Sequence, residues 1–184
     1  MQVFSGVSFT LAPGGLLAVT GANGTGKSSL LRILAGLLHP EGGSVRRPGG
    51  ASGCHFLGHL DGLKGAFTLR EMLRFWSDLS GAGEGREERL VLVAEEVSLA
   101  HALDLPSGVL SAGQRRRAGL ARFLLARRPI WYLDEPGSAL DRDGEALLGR
   151  LLARHLAEGG IAVAATHQPL PVAPSAVLDL ANPA

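Results

Sequence analysis

A single cysteine, Cys54, excludes an internal disulfide framework and suits a reducing compartment. Its neighbours Phe56 and Leu57 suggest an ordinary buried thiol in a strand. No window approaches the roughly 18 to 20 consecutive apolar residues of a membrane span, so any membrane association must come through a partner. Met1-Gln2-Val3-Phe4 has neither a basic region nor a cleavage site, which argues against a signal peptide. Net charge is also lacking: the formal value is +1, so no global field argues for nucleic acid or an anionic membrane surface. Lysine is scarce, with two residues against sixteen arginines. What remains is a chain of 184 residues, enough for one well-filled core with a subdomain attached.

One of the two lysines stands at the end of Gly21-Ala22-Asn23-Gly24-Thr25-Gly26-Lys27-Ser28, which fits the P-loop pattern G-x-x-x-x-G-K-[ST]. A compact ammonium can lie along the β- and γ-phosphates of a nucleotide, where a planar guanidinium would not fit. The glycines let backbone N–H groups turn inward, and the following helix, read from Ser29 to Leu37, points its N-terminus at the same phosphates. Ser28 is the expected hydroxyl ligand to Mg²⁺. A Gly-rich turn with no ligand is the bland alternative. The apolar strand Leu16-Leu17-Ala18-Val19 before the loop favours a nucleoside triphosphate site, with residues 21–29 as its cradle.

Strands are expected at 7–11, 16–19, 44–46, 54–57, 130–133, 161–165 and 177–180. Capping boxes at Thr68-Leu69-Arg70-Glu71 and Ser111-Ala112-Gly113-Gln114 start helices running to about Leu79 and Ala126. Further helices are expected at 86–97 and 142–156, with a break at 81–85. Strands alternating with helices predict an α/β fold with a mainly parallel sheet. We expect a single domain over 1–184, with a core of about 1–59 and 111–184 and a helical insertion of about 60–110.

The strand at 130–133 ends in Asp134-Glu135. Two acids at a buried strand end are costly unless they face a cation or water. Asp134 fits the acid that holds Mg²⁺, and Glu135 the base that polarises attacking water, with Pro136 fixing the exit turn. His167, after the strand 161–166, would arrive at the same sheet edge as the P-loop, though a lone histidine is more often structural. Ser111 and successive N–H groups at a helix start make a second anion site, suggesting two chains around one nucleotide; a plain N-cap is the alternative.

In this order, and over nearly the whole chain, these elements resemble the nucleotide-binding domain of ATP-binding-cassette (ABC) proteins, a branch of the P-loop NTPases. The resemblance implies ATP hydrolysis with Mg²⁺ in a homodimeric ATP sandwich, with Ser111, Gly113 and Gln114 completing the partner's site. It makes Ser138-Ala139-Leu140-Asp141 the dimer-contacting D-loop and His167 the switch histidine. His59 occupies the place of the usual Q-loop glutamine. Only twenty residues precede Gly21, where the family has an additional strand with an adenine-stacking aromatic, and Phe4 is too close to substitute. The expectation is that native N-terminal residues are absent or the start is misassigned.

A narrower resemblance rests on Phe56-Leu57-Gly58-His59, Gly62-Leu63-Lys64, Leu69 to Phe75, Leu110 to Arg117 and Thr166 to Leu170. It is to the ATP-binding subunits of haem exporters in cytochrome c-type biogenesis. It implies a peripheral protein on the cytoplasmic face of the bacterial inner membrane, bound to integral membrane transporter subunits. Neither nucleic acid nor direct haem contact is expected. The rivals are a soluble ABC ATPase of the cluster-assembly type and the nucleotide-binding subunit of another small ABC exporter. Arg115-Arg116-Arg117 is expected to be solvated or at the sandwich. Phe75 and Trp76 line a groove for a membrane partner or, as such pairs more often do, belong to the core.

Overall fold

The computed structural model describes residues 4–47, 49–81 and 86–181. Among the described residues five strands form one parallel sheet in the order β2-β3-β4-β1-β5. They are β1 (Leu16–Thr20), β2 (Cys54–Leu57), β3 (Ile130–Asp134), β4 (Ile161–Ala165) and β5 (Ala176–Asp179). The helices are α1 (Lys27–Ala35), α2 (Leu69–Leu79), α3 (Arg86–Glu96), α4 (Ala112–Leu125) and α5 (Arg142–Ala157). The α/β fold with a mainly parallel sheet expected from the alternating pattern is therefore present, with helical segments inserted between β2 and β3.

Two compact units share the chain. The first comprises residues up to His59, Arg128–Gly137 and Leu148 onward; the second comprises Leu60–Arg127 and Ser138–Leu147. In the first, Leu17 and Val19 of β1, Leu30, Leu31 and Leu34 of α1, and Val163 of β4 are all buried in one apolar cluster. Strands buried on both faces read as continuous apolar runs, which is why 16–19, 130–133 and 161–165 were legible. On β3, Trp131 stacks on His155 of α5 with ring centroids 4.0 Å apart and planes 9° from parallel.

Segments 7–11 and 44–46 are not strands. Val7, Leu11 and Val45 pack, partly buried, against the same cluster without joining the ladder. A short apolar alternation reports burial, and here side-chain packing alone satisfies it. Cys54 is half-buried rather than enclosed; burial still raises its thiol pKa, opposed by Arg47 and Arg128.

In the second unit, α2 buries Leu69, Met72, Leu73 and Trp76, a repeat of three and four residues that gives one apolar stripe. Both capping boxes are present, at Thr68/Glu71 and Ser111/Gln114. Arg70 joins Asp104 and Glu87, tying α2 to α3 and to the segment after it. The hydrogen bond from Arg74, opposed by desolvation and helped by the bond from Arg70, holds the Glu87 carboxyl below its ordinary pKa. Phe75 and Trp76 part company: the tryptophan is core, the phenylalanine is exposed. Of the expected break at 81–85, residues 82–85 lie outside the described residues.

Of the three consecutive arginines, Arg116 is buried and Arg115 and Arg117 are half-buried. Arg116 is 3 % exposed and pairs with Asp61 at 3.2 Å. Arg115 donates to the Leu110 carbonyl at 2.7 Å and Arg117 to that of Val97 at 3.5 Å. Each guanidinium is held within its own unit, as the rotation of successive helical residues to different faces requires.

Candidate active site

Register brings the chemistry of the first unit to one edge. In parallel strands all carboxyl ends share a side, where open α/β sheets bind ligands. Val19 of β1 and Asp134 of β3 are both in register with Ala165 of β4. The P-loop after β1, the acids ending β3 and Thr166-His167 after β4 therefore leave the sheet side by side. His59, exposed, follows β2 by two residues at the same edge, since Leu57 is in register with Leu133.

The P-loop backbone needs its glycines. Gly21, Gly24 and Gly26 have φ of 135°, 85° and 98°, a region costly for residues with a Cβ. At Gly21 a Cβ would also sit 2.9 Å from the Thr25 hydroxyl, which instead donates to the Ala22 carbonyl. Lys27 is 8 % exposed and its Nζ donates to the carbonyls of Gly21 and Ala22 at 2.7 and 3.1 Å. The ammonium thus spans the mouth of the loop. Helix α1 starts at Lys27 with left-handed Gly26 as N-cap and no side-chain cap. Its first-turn N–H groups are left for an anion, and a phosphate fits that donor set. Ser28 and Ser29, half-buried, open the helix, while Ala22 and Asn23 lie exposed on the loop.

Asp134 is 4 % exposed at the end of β3. Glu135 follows with φ 49°, a strained value for a residue other than glycine. Its N–H donates to the Ala165 carbonyl at 2.8 Å, so the ladder continues while the side chain turns off the strand. The carboxylate meets His167 Nδ1 at 2.9 Å. Thr166 was not singled out from the sequence. Its buried hydroxyl accepts from the Gln168 N–H at 3.0 Å and donates to the Gln168 carbonyl at 2.9 Å. That small turn presents His167 to Glu135, and a threonine directly before the histidine was its only sequence signal.

In the second unit, Gln114 N–H donates to Ser111 Oγ at 3.2 Å and the Ser111 N–H donates to Gln114 Oε1 at 2.8 Å. Gly113 lies between them. No group of three or more His, Cys, Asp or Glu side chains fit to hold a metal occurs among the described residues. Mg²⁺ keeps several waters and takes few protein ligands, so a hydroxyl such as that of Ser28 and a carboxylate such as that of Asp134 could hold it without such a cluster. Phe4 is partly buried against the apolar cluster of the first unit.

Comparison with known proteins agrees with this geometry. The ABC transporter family profile matches residues 4–138. An ABC transporter ATP-binding subunit of known structure superimposes with a TM-score of 0.80 at 26 % identity, covering 90 % of this chain and 73 % of that one. A Pyrococcus furiosus structure assigned as an ABC transporter ATP-binding protein gives 0.84 at 25 %, covering 98 % and 92 %. The cytochrome c biogenesis ATP-binding export protein CcmA of Rhodopseudomonas palustris (strain BisB5) is 49 % identical, covering 94 % of this chain and 88 % of its own. CcmA of Rhizobium meliloti is 50 % identical, covering 97 % and 90 %. The chain belongs to the ABC transporter family and, within it, to the cytochrome c biogenesis ATP-binding export proteins.

Proposed function

We propose that this chain is the ATP-hydrolysing subunit of a haem exporter, with Lys27, Asp134, Glu135 and His167 as the working residues of its own half-site. That it is an ABC-type ATPase and transporter subunit follows from its family. The observation that carries the residue assignment is the Glu135–His167 contact at 2.9 Å, made at the edge where the P-loop also leaves β1. ATP supplies the phosphoanhydride whose hydrolysis drives the cycle.

Residues 21–29 hold the phosphates, the backbone N–H groups and Lys27 supplying positive charge. Ser28 and Asp134 would hold Mg²⁺, which would neutralise charge on the phosphates. Glu135 takes a proton from water, and His167 fixes its carboxylate in orientation and hydrogen-bonds the phosphate end. Such a base contributes about a hundred- to ten-thousandfold in rate. His59 stands in the Q-loop position, where its imidazole would accept or donate a hydrogen bond beside the phosphate end of the nucleotide. A second copy supplies Ser111, Gly113 and Gln114 to close the homodimeric sandwich, and Ser138 to Asp141 bridge the copies. Closure and reopening move integral membrane subunits on the cytoplasmic face of the inner membrane. Among the described residues no helix is long and apolar enough to cross a membrane.

The test is a pull-down of the tagged chain from membranes, joined to complementation of a strain that cannot assemble c-type cytochromes. Co-purification of integral membrane subunits and restored cytochromes, lost in Glu135→Gln, is the expected result. Recovery of soluble cluster-assembly proteins without complementation rejects the transport reading.

A further inference from the structure

Gly113 is the second residue of α4, and a Cβ built there lies 2.9 Å from the carbonyl oxygen of Ala139. Real Cβ atoms essentially never come so close, so either the helix or the loop would have to move. Ala139 is itself unusual: its φ is 64°, a left-handed conformation in which glycine is the unstrained choice. The rest of its loop is anchored to α5. Asp141 Oδ1 accepts the Gly144 N–H at 2.9 Å. A Cβ at Gly144 would meet Leu140 Cδ2 at 2.8 Å, so Leu140 lies flat on the first turn of α5. A loop fastened at one end, with a strained residue at its crest, presses one carbonyl against the backbone of α4.

We propose that Gly113 and Ala139 are positioning residues that join the first turn of α4 to the 138–141 loop as one rigid block. The pair makes Ser111 and Gln114 on one side, and Ser138 and Asp141 on the other, keep a fixed spacing. This rests on the two-chain reading above, in which both segments meet the same second copy. Engagement of one segment then positions the other. Gly113 thus answers to a constraint inside its own chain as well as to the nucleotide across the interface.

The experiment compares Gly113→Ala, Ala139→Gly and the double variant in ATP turnover and in ATP-driven dimerisation of the Glu135→Gln form. Alanine is the better helix former, so a loss in Gly113→Ala does not come from helix propensity. The single variant is expected to lose about tenfold in turnover, since displacements of a few tenths of an ångström suffice at a preorganised site. Ala139→Gly, which lets the loop carbonyl withdraw, restores most of that loss in the double variant. A double variant as slow as Gly113→Ala alone overturns the proposal, because the Cβ then acts on the neighbouring nucleotide. Ala139→Val, whose β-branched side chain resists the left-handed conformation, gives a second reading if Gly113→Ala fails to fold. Its Gln114 and Arg115 amides should exchange hydrogen faster than in the parent, and unchanged exchange likewise overturns the proposal. If Glu135→Gln stays monomeric with ATP while those amides do respond, the block stands but the two-chain reading, and the role built on it, falls.

Discussion

Helices α1 and α4 both begin where phosphate is expected, yet they begin in opposite ways. Helix α1 has a left-handed glycine as N-cap and no side-chain cap, leaving its first N–H groups for an outside anion. Helix α4 starts with a closed capping box, Ser111 and Gln114 each satisfying the other's backbone. Helix α2 has the same device in Thr68 and Glu71. Judged inside one chain, α4 resembles α2, an ordinary well-made helix start, more than it resembles α1. An open terminus declares its ligand, whereas a closed one can take part in binding only by adding to bonds it already makes. The proposed role of Ser111 thus needs a second chain, while that proposed for Lys27 needs only its own.

The sharpest break in that comparison comes from the chemistry beside α1. Glu135→Gln should reduce ATP turnover by about a hundred- to ten-thousandfold and trap an ATP-bound dimer, read by phosphate release and size-exclusion chromatography. Normal turnover would remove the base assignment. Lys27→Ala should weaken nucleotide binding by about ten- to a hundredfold, the value of one charged hydrogen bond, measured by calorimetry. Unchanged affinity would mean that the open helix start and loop N–H groups suffice.

The paired caps give a smaller, more discriminating effect. Thr68→Ala and Ser111→Ala should each cost about 1 kcal/mol of stability in urea titrations. Only Ser111→Ala should also lower turnover; equal activity in both would make α4 as ordinary as α2.

The smallest effect concerns pH. Burial lowers the pKa of His155 beneath its stack on Trp131, against the bond to the Ile161 carbonyl, which raises it. The unfolded chain then binds a proton that the native one refuses between the lowered value and about 6.5. Stability from this group is complete above about pH 6.5 and is lost as pH falls through the folded pKa. A urea midpoint that drops on acidification, with a shallower drop in His155→Phe, is the expected pattern.

Much of this was legible because the signals were local. The boxes at Thr68 and Ser111 located helix starts to the residue, and apolar runs located β1, β3 and β4. Segments 7–11 and 44–46 misled because burial and strand pairing share one pattern, and only the partner strand distinguishes them. Strand order, the Glu135–His167 contact and the pairing of Arg116 with Asp61 join residues separated by tens of positions. The left-handed Ala139 was invisible for another reason: nothing in alanine's chemistry announces a conformation that its neighbours impose.

The placement of β1 has a consequence for how the protein is made. This strand is translated well before its two neighbours in the sheet, β4 and β5. At about 5 to 20 residues per second, roughly seven to thirty seconds pass before β4 is even translated. Through that interval an apolar strand and a glycine-rich loop wait without a partner, exposed to chaperones and to neighbouring chains. Nascent chains halted before residue 161 should therefore hold no nucleotide, and the cell is spared an ATPase that works before it is complete.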